Sequence, residues 1–328
     1  MTRRPRVLFS FGPLSDTSSP YTRNLVGALG NRVEARTFSW RRLFSGWPDV
    51  LHVHWPDGIV RSTRPASSQL KGALGLLFLL LRKPLRIRVV WTVHNLTPHE
   101  ELQGLPRMFV KRLQATADWR IYINESSENT AYRSNTILHG PIASPGPRAR
   151  STRREERVLF FGLVRRYKGI EQLIEAFRFA DPVDAQLVIA GRASDPSYAA
   201  EITGAIDGVP NASFIPEFIP NDDLDRLISS SRVVVLPYRS IYNSGALLLA
   251  LELGTHVLAP AGEATERLQI EFGTERISLF EGSLNPRQLL AAIVTAQAQP
   301  VGLPDMTRRA WSKAADAHVE VYRLVMES

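Results

Sequence analysis

The sequence predicts an α/β chain of two doubly wound parallel sheets joined by a linker, and three observations carry that expectation. Short apolar runs alternate with helical patterns through both halves, the order that winds a parallel sheet. Runs such as Val158-Leu159-Phe160-Phe161 are apolar throughout rather than alternating, as strands covered on both faces must be. Between residues 140 and 156, three prolines, two glycines and a charge run interrupt the periodicity, which marks a linker.

In the first half the strand-then-helix pairs fall at 7–11 and 21–29, 50–54 and 68–81, 87–93 and 106–117, and 119–123 and 126–133, with a last strand at 136–138. In the second half strands are expected at 158–161, 186–190, 212–215, 233–236 and 256–259. Helices are expected at 168–180, 196–206, 221–230, 244–253, 265–271, 286–298 and 305–326. A chain of 328 residues suits two domains of ordinary size. The boundaries read as 1–150 for the first domain, 151–310 for the second, and 311–328 for a closing helix.

Composition narrows the function classes. With 44% hydrophobic and 22% charged residues the chain is that of a soluble globular protein. The absence of cysteine excludes disulfides, thiolate zinc sites and cysteine nucleophiles, and fits a reducing cytoplasm. The basic start is followed only by residues 7–11, too short for a signal-peptide core. The most apolar run, 74–81, extended back to Gly72, gives about ten residues where a membrane span needs ~20. Charge is unevenly divided: residues 1–150 hold 22 Lys and Arg against 9 Asp and Glu, a net of +13, and the remainder hold 18 against 23, a net of −5. A basic half calls for an anionic partner. Nucleic acid, an anionic bilayer and a phosphate-bearing acceptor are the candidates; residues 68–90 join an apolar helix to Lys71, Arg82, Lys83, Arg86 and Arg88, which could rest on an anionic leaflet or could equally be an ordinary buried helix. Nucleic acid is disfavoured, since no aromatic platform accompanies the charge.

The chemistry-bearing residues gather at strand ends. After Phe161 comes Gly162, then Arg165, Arg166 and Lys168 in a loop leading to a helix, where open α/β sheets bind ligands. After the strand at 233–236 comes Pro237-Tyr238-Arg239-Ser240-Ile241-Tyr242-Asn243-Ser244-Gly245-Ala246. Ser244 is a good N-cap there, and backbone N–H groups face any anion. In the first half two strand ends stand out: His52-Val53-His54-Trp55-Pro56-Asp57, and Thr92-Val93-His94-Asn95, continuing to Glu100. His52 and His54 point to one side of a strand, and a metal reading is weak because no ligand spacing on a helix supports it. Asp16 could equally form an Asx turn or a cap before Tyr21.

The order apolar strand, Phe-Gly, Arg-Arg-Tyr-Lys-Gly, Ile-x-x-Leu-Ile-x-Ala-Phe over residues 158–177 resembles the donor-domain signature of GT-B glycosyltransferases, especially the family-4-like group. The resemblance implies two Rossmann-like domains with a deep cleft between them and a last helix crossing back to the first domain. It implies that Arg165 and Lys168 hold the diphosphate of a nucleotide sugar. The donor site would then comprise Gly162, Arg165, Arg166, Lys168, Tyr238, Tyr242, Asn243, Ser244, Gly245 and Ala246. It places His94 against the donor sugar, and Asp16, Trp55 and Asn95 on the acceptor side. Retaining relatives carry two glutamates whose positions here are Ile241 and Leu249. Their absence points to inversion, with Asp57, then Glu100, then His94 as base on the acceptor hydroxyl.

The function expected is transfer of a sugar from a nucleotide diphosphate sugar to a glycan or lipid-linked acceptor, at the inner face of a membrane or in the cytoplasm. GDP- and UDP-sugars both remain open as co-substrate. No other cofactor and no metal are expected, because Arg165, Lys168 and the helix starting at Ser244 can neutralise the leaving diphosphate. A catalytically inactive nucleotide-sugar binding protein and a nucleotide-sugar epimerase of the same fold are the alternatives.

Overall fold

The computed structural model describes residues 3–15, 18–95, 102–126, 133–142, 154–182, 184–298 and 302–328. They form two compact units, one from residues 1–140 and 307–328 and the other from 141–306.

The first unit runs β1 (Arg6–Phe9), α1 (Pro20–Leu29), β2 (Glu34–Thr37), α2 (Trp40–Phe44), β3 (Val50–Val53), α3 (Pro56–Val60), α4 (Pro65–Leu81), β4 (Arg88–Val93), α5 (Gly104–Thr116), β5 (Trp119–Tyr122) and β6 (Ser134–Thr136). All its strand pairs are parallel, in the order β2-β1-β3-β4-β5-β6. The central strands are buried on both faces, with His52 of β3 and Thr92 of β4 as the polar residues among their buried side chains. β2, with the sequence Glu-Ala-Arg-Thr, escapes the sequence pattern because it is an edge strand and largely exposed.

The second unit runs β7 (Glu155–Phe161), α6 (Ile170–Ala180), β8 (Gln186–Ala190), α7 (Pro196–Ile206), β9 (Ala212–Ile215), α8 (Asn221–Ser230), β10 (Ser231–Val235), α9 (Gly245–Glu252), β11 (His256–Pro260), α10 (Glu263–Phe272), β12 (Ile277–Phe280) and α11 (Pro286–Ala298). This sheet is parallel in the order β12-β11-β10-β7-β8-β9. The winding reverses between β7 and β10, and in the first unit between β1 and β3. Such switch points leave a crevice at the carboxyl ends of the strands. The loops after β7 and β10 are the two that carry the sequence-predicted donor residues.

The last helix, α12 (Trp311–Glu327), belongs to the first unit. Its Ala315, Val319, Tyr322 and Val325 join the core built on β1, β3, β4 and α1. The chain changes unit at 140/141 and 306/307 rather than at 150 and 310. Gly140 lies against the Trp311 ring so closely that a Cβ would approach it to 2.5 Å. Ile142 already packs on the second unit's core, and its N–H donates to Glu252 Oε1 (2.6 Å). The helix expected at 126–133 lies mostly on residues 127–132, outside the described residues.

Candidate functional site

The loop after β7 is shaped by three glycines at positive φ. Gly162 (φ 105°) donates its N–H to Ala190 O (2.9 Å), and a Cβ on Gly191 (φ 143°) would meet Gly162 O at 2.0 Å, so neither tolerates a side chain without a backbone shift. Arg166–Lys168 make a single 3₁₀ turn that ends at Gly169 (φ 64°). A Cβ there would lie 2.3 Å from Pro237 O, so this turn abuts the loop after β10.

The three cations of the turn have different fates. Arg166 is exposed and pairs bidentately with Glu201 (2.6 Å to each oxygen), its guanidinium over the Tyr198 ring at 4.7 Å. Its charge is answered locally. Lys168 is only 8% exposed. Its Nζ stands 5.5 Å from the Phe160 ring centre and 5.2 Å from that of Tyr238, with no ion pair among the described residues. Burial, and then the neighbouring Arg165 charge, lower its pKa to about 8. Arg165 Nε is buried without a partner among the described residues. Two cations brought together without a counter-ion are unfavourable until a polyanion arrives.

Across from them, Ser244 caps α9 by accepting the Leu247 N–H (3.2 Å). Gly245 opens that helix, with only the Ile142 side chain near its Cα. The positive end of α9 follows the loop that abuts the Arg165–Lys168 turn at Gly169, so both features favour negative charge in this part of the second unit. Tyr238, half-buried, has its hydroxyl pKa raised by burial. Tyr242, Asn243 and Ala246 are half-buried in the same segment. Ile241 and Leu249 pack in the apolar core behind it. Glu252 is buried and held by the Ile142 N–H, so it offers no replacement carboxylate.

In the first unit the strand ends bring histidines together. His52 is fully buried between Tyr322 Oη and Thr92 Oγ1, each 2.7 Å from a ring nitrogen, which makes it a satisfied core histidine. His54 is buried as well, its N–H donating to Ser10 Oγ (3.0 Å) and its Nδ1 lying 3.0 Å from His94 Nε2. His54 Nε2 has no partner among the described residues. A buried N–H without an acceptor costs more than a bare lone pair, so the proton sits on His54 Nδ1 and is donated to His94 Nε2. His94 is then fixed as the Nδ1–H tautomer. Its ring stacks on Trp55 (4.4 Å, 18°) and meets the Tyr21 ring edge-on at 5.0 Å. Burial holds His94 down to about 3, and His139, beside Tyr21, to about 4. Together they make a neutral, aromatic cluster at the carboxyl ends of these strands.

Asp57 sits in the first turn of α3, paired with Arg61 at 3.1 Å, and is half-buried. Asn95 follows His94 and is half-buried. Asp16 and Glu100 lie outside the described residues. Tyr21, His54, His139 and Trp311 join the His94 surroundings only through tertiary structure. Their separations in sequence are too large for any local pattern to group them. No set of three or more His, Cys, Asp or Glu among the described residues has the geometry to hold a metal ion.

Two doubly wound units, one with Arg165 and Lys168 unpaired among the described residues in its switch-point loop and the other with histidines gathered at its strand ends, suit the binding of a phosphate-bearing ligand. The chain belongs to the group 1 glycosyl transferases: that family's model matches residues 155–297. Over 322 residues the chain is 33% identical to a GDP-mannose:glycolipid 4-beta-D-mannosyltransferase from Xanthomonas campestris pv. campestris, covering 97% of this chain and 92% of the relative. Among solved structures it resembles Anabaena HepE in complex with UDP (14% identity, TM-score 0.62, covering 98% of this chain and 97% of that one). It also resembles the sucrose-phosphate synthase of Thermosynechococcus elongatus (18%, TM-score 0.62, 99% and 95%). At such identities these structures establish the shared GT-B fold.

Proposed function

We propose that the chain transfers mannose from GDP-mannose to a glycolipid acceptor at an anionic membrane surface, with inversion at the anomeric carbon. The observation that carries the reading is the Xanthomonas relative, whose donor is GDP-mannose and whose product is β-linked. The sugar of GDP-mannose is α-linked to phosphate, so a β product requires inversion. The apolar residues Ile241 and Leu249 agree, since neither can stabilise positive charge beside the sugar.

In this reading the acceptor oxygen forms its bond to the anomeric carbon as the bond to phosphate breaks. The electron pair leaves with GDP, whose charge meets Arg165, Lys168 and the start of α9. The hydroxyl proton passes to Asp57, the first candidate base; Glu100 remains the second. His94 ranks below both, because its Nε2 faces the His54 Nδ1 at 3.0 Å and is not available to take the hydroxyl proton. It serves better as a hydrogen-bonding wall for the sugar. Positive charge from side chains and helix makes the reaction metal-independent, with GDP-mannose as sole co-substrate.

The test is proton NMR of freshly formed product. A β anomeric linkage from the α donor is expected, and Asp57→Asn should lower turnover by roughly 10² or more while GDP affinity holds. An α linkage would overturn both the inversion and the role of Asp57.

A further inference from the structure

Helix α4 is leucine-rich on the side it does not bury. Gly72 and Gly75 face α5 so closely that a Cβ would meet Pro106 N at 2.6 Å and Phe109 Cδ2 at 2.5 Å, and Phe78 is fully buried on the same flank. The close glycine packing against α5 turns the opposite side outward. There Leu70 (63% exposed), Leu77 (44%), Leu80 (76%) and Leu81 (38%) stand with the exposed Ala73. At 100° per residue these five fall within a sector of about 100°, one continuous apolar ridge.

The ridge is set in positive charge. From residue 58 to residue 99 there are seven Lys and Arg and no Asp or Glu, and residues 102–117 add Arg107, Lys111 and Arg112, again without an acid. The helix runs directly into Lys83 and Arg86, which with Arg3, Arg6 and Arg88 line a groove at the amino-terminal edge of the sheet. Asp49, the acid of that lining, is already taken by Arg3 (2.6 Å) and Arg6 (2.9 Å). Lys83, Arg86, Arg107, Lys111 and Arg112 have no ion pair among the described residues.

We infer that the α4 ridge is a membrane-docking face: Leu70, Leu77, Leu80 and Leu81 enter the acyl boundary of an anionic leaflet while Lys83 and Arg86, just beyond the end of the helix, bind lipid phosphates. Leucines flanked by cations match an interface in which apolar chains lie beneath negative headgroups. A second copy of this chain fits poorly, because a two-fold contact through the ridge would set like charges against one another. The inference deepens the glycolipid reading, since it states how the enzyme reaches an acceptor embedded in lipid; it rests on residues of the first unit, none of which belongs to the candidate donor site.

The test is co-sedimentation of the full chain with vesicles of phosphatidylcholine alone and with roughly a third phosphatidylglycerol added. Binding is expected only to the second, falling at least tenfold as salt rises from ~0.1 to ~0.5 M, where the screening length shrinks from about 10 to about 4 Å. Leu77→Ser/Leu80→Ser and Lys83→Glu/Arg86→Glu should each weaken binding at least tenfold. The leucines are exposed, so melting temperature and GDP affinity should stay at wild-type values. Leucine-variant binding equal to wild type, equal wild-type binding to neutral vesicles, or no vesicle binding would each overturn the inference. So would a concentration-dependent dimer in lipid-free buffer that Leu77→Ser/Leu80→Ser abolishes. Vesicle binding without GDP binding by calorimetry would instead sink the donor reading and leave the docking face standing.

Discussion

Replacing Lys168 by methionine should stabilise the unliganded protein while removing its affinity for GDP. Lys168 is buried beside Arg165, and its pKa is lowered from 10.5 to about 8. A folded-state pKa below the unfolded value means that the unfolded chain binds more protons between those two pH values. Stability contributed by this group therefore rises with pH from about 8 to 10.5, and the penalty is fully present at pH 7. The difference corresponds to about 3 kcal/mol at 1.36 kcal/mol per pH unit. Methionine keeps the length and apolar stem without the charge, but it forfeits the approach of Nζ to the Phe160 and Tyr238 rings. A net gain of about 2 kcal/mol remains, or roughly 4–8 °C in melting temperature for a unit of this size. Calorimetric melting at pH 7 and pH 10, with and without GDP, checks it. Lys168→Met should melt higher at pH 7, lose most of that advantage at pH 10, and show no GDP-induced rise where wild type does. A variant that melts lower at pH 7, or gains equally at both pH values, would refute the argument that Lys168 is held there against its own solvation.

Arg165→Ala should weaken GDP binding roughly ten- to a hundredfold in titration calorimetry, the worth of a charge-assisted bond to phosphate. Arg166→Ala should change it by less than about threefold, because Glu201 already holds that guanidinium. Equal losses would mean that Arg166 leaves its ion pair to bind donor. The first unit should be acid-labile. His94, His139 and His318 have pKa values lowered by burial to about 3, 4 and 4, so the unfolded chain takes up protons first as pH falls below 6.5. All six tryptophans lie in residues 40–311 of this unit, so their fluorescence reports on it. An unfolding transition between about pH 5 and 4 is expected, and native emission down to pH 3 would contradict the neutral histidine cluster.

How much was legible beforehand depended on how local the signal is. The apolar run 158–161, the glycines of the following loop and the helical spacing of Ile170, Leu173, Ile174 and Phe177 are all set within some twenty residues. The parallel sheet, its switch-point loop and the placement of Lys168 therefore follow from sequence alone. So does the absence of carboxylates at Ile241, in the loop before α9, and at Leu249, within that helix, which is read directly from the residue types. Tertiary structure alone decided the rest. Arg165, Arg166 and Lys168 look equivalent in a line of sequence, yet Glu201 on α7 answers one of them and burial leaves the other two uncompensated. His52 and His54 share a strand face, but Tyr322 and Thr92 make the first a core residue while the second is paired with His94. β2 was invisible because an exposed polar edge strand is defined by its hydrogen-bonded neighbour and not by its own side chains. The leucines of α4 read equally as buried core or exposed ridge, and the choice was made by two glycines that let α5 approach one side and leave the other to solvent. A side chain's type is written in the chain; whether its charge is answered, or its apolar surface covered, depends on groups that only folding brings within a few ångströms.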